Sequence, residues 1–121
     1  MIFLDTNILI EILKGNSPIV KRVENFNETI VISSISAMEL YYGAINKVEL
    51  KKLEKFIALF KIIHIDTEIS VLAKTLIIKY AKSHNLNIPD SLIASSVSKH
   101  NSKLFTLNTK DFKYIENVVL V

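Results

Sequence analysis

The sequence predicts an α/β fold, a three-layer α/β/α sandwich around a mostly parallel sheet of four or five strands. Three observations point there. Short apolar runs alternate with helix-period segments along the whole chain, which is the order of a sheet built by crossover connections. The runs are apolar on both faces, as strands covered by helices on both sides must be. No hairpin signal such as Asn-Gly interrupts them. No repeat, linker or low-complexity stretch divides the 121 residues, so residues 1–121 read as one domain.

The first run, Ile2-Phe3-Leu4, ends in Asp5, a carboxylate at the C-terminal end of a buried strand, where open α/β sheets keep their sites. Ile8, Leu9, Ile12 and Leu13 then repeat at helical spacing. Gly15-Asn16-Ser17-Pro18 stops that helix and starts a second to about Phe26. Thr29 to Ile32 is a β-branched strand closed by Ser33 and Ser34. Ser36 is the expected N-cap of a third helix over Ala37 to Asn46, with Glu39 as its capping-box partner. A fourth helix spans Val48 to Phe60, with Leu53, Phe56, Ile57 and Phe60 as its core stripe; Leu59 falls on the lysine side and is expected to be exposed. Ile62 to Ile65 is the third strand. Asp66 caps a long helix to His84, and Asn85 to Ile88 is a loop. Pro89-Asp90 opens a sixth helix to Lys99, since proline suits a first turn and an acid suits its positive end. Leu104 to Leu107, a turn with a short helical piece over Asn108 to Tyr114, and a last strand at Val118 to Val121 complete the chain.

Composition narrows the chemistry. There is no cysteine, which excludes disulfides, thiolate zinc sites and cysteine nucleophiles. No apolar run approaches the ~20 residues of a membrane span, and no basic leader precedes the first strand; a soluble, cytoplasmic protein is expected. The net charge of +3 is a mild lean towards an acidic or nucleic-acid partner. Arg22 is the sole arginine among fifteen basic residues. Lysines give sequence-blind phosphate attraction, which disfavours a groove-reading DNA module.

The carboxylates carry the rest. Asp5 has two readings, helix cap and chemistry. Asn7 stands where haloacid-dehalogenase-like phosphatases need a second aspartate. Asp90 shares a helix face with Ile93, Ala94 and Val97, a core-facing stripe on which a carboxylate is costly to desolvate unless neutralised. Glu39 lies opposite the apolar arc of its helix, so periodicity alone makes it solvated or a capping-box residue. If the first and fourth strands are neighbours, Asp5, the residues after Leu107 and the start of the Asp90 helix meet at one edge. Converging carboxylates raise one another's pKa values, and a hard divalent cation relieves that conflict. Oxygen ligands without cysteine or paired histidine suit Mg²⁺ or Mn²⁺. His64, His84 and His100 show no ligand spacing and read as structural or surface residues.

Four stretches in order, Phe3-Leu4-Asp5-Thr6-Asn7-Ile8-Leu9, Ser34-Ile35-Ser36-Ala37-Met38-Glu39-Leu40-Tyr41-Tyr42-Gly43, Pro89-Asp90-Ser91-Leu92-Ile93-Ala94 and Thr106-Leu107-Asn108-Thr109-Lys110-Asp111-Phe112, resemble the PIN-domain family. More narrowly they resemble its VapC-type ribonuclease toxins. The resemblance implies that Asp5, Glu39 and Asp90 bind the catalytic metal, which reverses the local reading of Glu39. It implies that Thr6 or Asn7, together with Thr106, orient the acids. Where many relatives carry a fourth acid this chain has Asn108, with Asp111 three residues on, and the fourth position is open between them. The implied activity is metal-dependent hydrolysis of RNA, tRNA or rRNA, without a side-chain nucleophile. Lys14, Lys110 and Lys113 are candidates for phosphate attraction. The implied partners are a second copy in a homodimer and a VapB-like antitoxin, for which Leu59 and Tyr41-Tyr42 are candidate contacts.

Two other readings share the fold class. One is a receiver-like signalling domain with Asp66 as phosphoacceptor, Asp5 as metal ligand, and Thr106 and Lys110 as switch residues. The other is a PIN fold that binds RNA or protein without cutting, motivated by Asn108.

Overall fold

The computed structural model describes all 121 residues. Five strands, β1 (Ile2–Leu4), β2 (Ile30–Ser33), β3 (Lys61–Ile63), β4 (Lys103–Phe105) and β5 (Val119–Leu120), form one sheet in the order β3-β2-β1-β4-β5. Every neighbouring pair is parallel. The helices are α1 (Thr6–Leu13), α2 (Ser17–Glu24), α3 (Ser34–Tyr42), α4 (Lys47–Ile57), α5 (Thr67–His84) and α6 (Ile88–Lys99).

Side-chain alternation along the short strands builds the layers. Phe3, Val31, Ile63 and Leu104 point to one face and pack with Leu76 and Tyr80 of α5 and Ile93, Ala94 and Val97 of α6. Ile2, Leu4, Ile32 and Phe105 point to the other, against Ile8 and Leu9 of α1, Leu40 of α3 and Leu53 and Ile57 of α4. The result is the three-layer α/β/α sandwich. Phe3 is fully buried between the sheet and α6, so Phe3→Ala costs about 3–5 kcal/mol.

From β1 the chain winds outward through β2 to β3, then returns to the far side of β1 to make β4. Strand order therefore reverses between β1 and β4, and the crevice beyond their carboxyl ends is where doubly wound folds place ligands.

Local chemistry sets the boundaries and corrects several expectations. The third helix ends at Tyr42, with Gly43 as C-cap, because Asn46 is needed elsewhere: its side chain accepts the Glu49 N–H at 2.9 Å and caps α4. Ser36 is not a cap. Ser33 accepts the Ile35 N–H at 3.1 Å and starts α3 three residues earlier, leaving Ser36 buried inside the helix. The sixth helix likewise starts before Pro89, because Asn87 accepts the Asp90 N–H at 2.8 Å. Asp66 does cap α5, accepting from Ile69 N at 2.9 Å. Gly15, at φ +75°, makes the left-handed turn that separates α1 from α2. No helix is long and apolar enough to cross a membrane.

Candidate functional site

Asp5 leaves β1 at its C-terminal end, and its backbone N–H donates to the Phe105 carbonyl at 2.9 Å, the last rung between β1 and β4. The carboxylate is 5% exposed. Its Oδ1 accepts the Thr6 N–H at 2.8 Å, so it does cap α1, and its Oδ2 accepts the Thr106 hydroxyl at 2.7 Å. Capping and chemistry are not alternatives here: two bonds leave about half of a carboxylate's acceptor sites free.

Thr106 is the hub of the seam. Its oxygen donates to Asp5 and accepts both the Asn7 amide at 3.4 Å and the Asn108 backbone N–H at 3.0 Å. Asn7 in turn accepts the Leu107 N–H at 3.2 Å through its Oδ1. That bond explains why β4 ends at Phe105 and not at Leu107: the backbone turns out of the sheet onto an α1 side chain.

On the other side of Asp5, the Thr6 hydroxyl lies 2.8 Å from Glu39 Oε1 and 3.0 Å from Ser36 Oγ. Thr6 has one proton, and the ionised carboxylate can only accept, so Thr6 donates to Glu39 and Ser36 donates to Thr6. Glu39 is exposed, as periodicity predicts, yet it points along α3 towards the crevice and not away from it. Periodicity measures burial, and this site is open to solvent.

Asp90 sits half-buried in the first turn of α6, one turn before the buried Ile93 and Ala94. Desolvation, then the charges of Asp5, Glu39 and Asp111, push its pKa from 3.8 up to about 6. Burial likewise raises Asp5, with a further push from Asp111, against the hydrogen bonds from Thr106 and Thr6 that lower it. The four acids thus share one electrostatic field. Asp111, half-exposed in a 3-10 turn over Thr109–Asp111, acts on both aspartates; Asn108 is exposed and contributes its backbone N–H to Thr106. Of the two candidates for the fourth position, Asp111 is the one whose charge reaches Asp5 and Asp90.

As placed, no three of these side chains lie close enough together to hold a metal ion by themselves. Open ligation fits the smaller hard cations, because Mg²⁺ retains several waters and takes one or two direct carboxylates. The donor set is all oxygen, and its strained protonation is what a divalent charge relieves. Asp5, Asp90 and Glu39 are the oxygen donors that would have to hold such an ion, its waters completing the shell, with Asp111 acting on both aspartates.

Other predicted residues fall elsewhere. Lys14 lies past the far end of α1, roughly 13 to 14 Å along the helix from Asp5, and does not flank the crevice. Lys110 and Lys113 are exposed on the Asp111 segment. Asp66 follows β3 at the sheet edge, two strands from β1, where it caps α5 and pairs with Lys99; the receiver-like arrangement is absent.

A cleft of about 90 Å³ beside Asp90 and Asp111 is lined also by His84 and Tyr114. The imidazole stacks on Tyr114 with centroids 4.0 Å apart and planes 13° apart. Burial, then Asp111 and Asp90, raise the Tyr114 pKa, so the acidic field reaches this ring. The sequence reads His84 as a structural or surface residue and does not single out Tyr114, because neither lies in a ligand pattern; the left-handed turn at Asn85 and the Asn87 cap set His84 beside Asp90.

Residues 2–118 match the PIN domain family. Among solved structures, the chain is 30% identical to one in a toxin-antitoxin complex from Klebsiella pneumoniae, covering 98% of this chain and 96% of that one at a TM-score of 0.81. It is 32% identical to a chain of VapBC2 from Rickettsia felis bound to a promoter DNA fragment, covering 100% and 98% at a TM-score of 0.84. For FitAcB from Neisseria gonorrhoeae the identity is 27%, the coverage 99% and 96%, and the TM-score 0.81. No curated protein matches the chain.

Proposed function

The chain belongs to the PIN domain family, and on that premise we propose that it is a metal-dependent endoribonuclease, the toxin of a VapBC-like toxin–antitoxin pair. The observation that carries the reading is the convergence of Asp5, Glu39, Asp90 and Asp111 at the β1/β4 switch point, where burial first and the neighbouring carboxylates second lift Asp90 to about 6. A site in which burial and neighbouring charge raise both Asp5 and Asp90 is poised to gain a cation, which is a functional feature and costs stability without one.

Asp5 and Asp90 would hold Mg²⁺ or Mn²⁺ directly and Glu39 would complete the set, held towards it by Thr6. When bound, the cation supplies Lewis-acid polarisation of the scissile phosphoryl group and a lowered pKa for the attacking water. The chain's own groups do the positioning: Thr106 fixes one Asp5 oxygen, the Thr6 N–H fixes the other, and Asn7 locks the turn that carries Asp111. Lys110 and Lys113 draw a phosphate chain to a site that repels it when metal-free. RNA in single-stranded form suits an open crevice better than a duplex. The reading places the protein in the cytoplasm, cutting tRNA or rRNA.

Its partners have two separate surfaces. Met38, Tyr42, Ile45, Val48 and Leu59 expose apolar side chains from the α3–α4 region, the proposed contact for a VapB-like antitoxin. Ile78 and Ile88 are exposed along a shallow groove of about 390 Å³ between α5 and α6, the proposed homodimer face.

Expression in a bacterial host tests the reading. Wild type is expected to arrest growth and leave discrete RNA fragments, and Asp90→Asn to do neither. Equal harmlessness of the two proteins, with intact RNA, removes the toxin reading and favours a binding module.

A further inference from the structure

We propose that His84 is the outer surface of an aromatic platform on which an unpaired RNA base stacks while its phosphate lies at the acidic crevice. The proposal rests on the ribonuclease reading for the identity of the ligand, and on separate geometry for the contact.

The platform is layered from the core outward. Tyr80 of α5 is 8% exposed and meets Tyr114 at 5.0 Å and 64°, an edge contact that anchors the second ring. Tyr114 is half-buried and carries the His84 imidazole in parallel at 4.0 Å. Tyr80 also touches His84 edge-on at 5.6 Å and 77°. One imidazole face is thus covered by Tyr114 and the residue is nonetheless exposed, so the opposite face is the one left for a ligand to stack on. The Ser83 hydroxyl lies 2.7 Å from His84 Nδ1 and limits rotation of the ring.

Position makes this face a nucleotide contact. His84 ends α5, and the left-handed Asn85 turns the chain so that the next helix begins with Asp90 on the same small cleft. That cleft, about 90 Å³, is far smaller than the ~300 Å³ of pockets that enclose a ligand, so it cannot swallow a nucleoside. A base resting on the outer face, with its sugar-phosphate running over the cleft to Asp90, needs no enclosure. Every base presents a π-face, so such a contact positions the strand with little sequence preference. The same role explains a ring exposed next to carboxylates, where a core aromatic cluster would bury both faces.

Binding of a short single-stranded RNA carrying one 2-aminopurine, followed by fluorescence on the full-length protein in Mg²⁺, tests the platform. Wild type is expected to quench the base on binding. His84→Ala should lose the quench and bind at least about fivefold more weakly, the lower end for one stacked base. His84→Phe should restore both; His84→Gln, polar but not aromatic, should not. Quenching and affinity unchanged in His84→Ala overturn the platform, as does a wild type that binds no RNA. Cleavage scored on the same samples separates the two ideas: a wild type that quenches but never cuts keeps the platform and removes the nuclease, whereas one that cuts equally well and binds equally well without His84 keeps the nuclease and removes the platform.

Discussion

Thr106 donates its hydroxyl proton to Asp5 Oδ2 at 2.7 Å, joining residues 101 positions apart across the β1/β4 seam. The same oxygen accepts from Asn7 and from the Asn108 N–H, so its bonding capacity is full. Thr106→Val leaves Asp5 with one hydrogen bond in a buried place and orphans two donors. The expected loss is about 1–3 kcal/mol of stability in urea unfolding, with Asp5 driven further up in pKa. Thr106→Ser keeps the hydroxyl and should retain most of it.

Asp90 gives the metal-free protein a pH dependence whose sign follows from its shift. The folded value, about 6, lies above the unfolded 3.8, so between them the fold binds more protons than the unfolded chain. The contribution of Asp90 to stability is fully present below about pH 3.8, is lost as pH rises to about 6, and is level above that. Two units correspond to about 3 kcal/mol at full strength, and partial exposure of Asp90 reduces this to roughly 1–2. Asp90→Asn should remove the dependence, and at pH 7.5 in EDTA it should melt a few degrees above wild type. Adding Mg²⁺ should stabilise wild type and leave the variant unmoved. Equal melting curves in EDTA contradict the raised Asp90 pKa.

Glu39 depends on Thr6 for its aim. Thr6→Val removes the 2.8 Å bond while Ser36 keeps its place inside α3. RNA cleavage is expected to fall about 10- to 100-fold, as for residues that orient metal ligands, with a much smaller change in unfolding midpoint. A stability loss with unaltered cleavage would make the Thr6 contact purely structural.

The exposed Ile78 tests the proposed dimer face. Ile78→Asp puts a charge where a second copy would bury an apolar side chain, 80% exposed in the single chain. Light scattering should show a dimer for wild type and a monomer for the variant, both folded. A wild-type monomer at high concentration removes this face from the account.

How much of this was legible follows from what each residue does. Asp90 was readable as an acid on a core-facing stripe, because Ile93, Ala94 and Val97 lie one and two turns ahead of it and are all buried. The alternation of strands and helices gave the layers, and Asp66 was readable as a cap. Glu39 was not legible from periodicity, since an open crevice leaves a functional carboxylate as exposed as an idle one; only the resemblance recovered it. The helix starts at Ser34 and Ile88 differ from those the sequence predicts because serine and asparagine compete as caps at neighbouring positions, and the winner depends on where the incoming strand or loop points. His84 and Tyr114 could not be paired from sequence, because thirty residues and a strand separate rings that touch.

The central claim is that Asp5, Glu39, Asp90 and Asp111 form one metal-dependent RNA-cutting site, and cleavage of labelled single-stranded RNA by antitoxin-free protein tests it most directly. Wild type should cut in Mg²⁺ or Mn²⁺, stop in EDTA and resume when the cation is restored in excess, while Asp5→Ala stays inactive throughout. Cleavage that persists in EDTA, or that survives Asp5→Ala, contradicts the account.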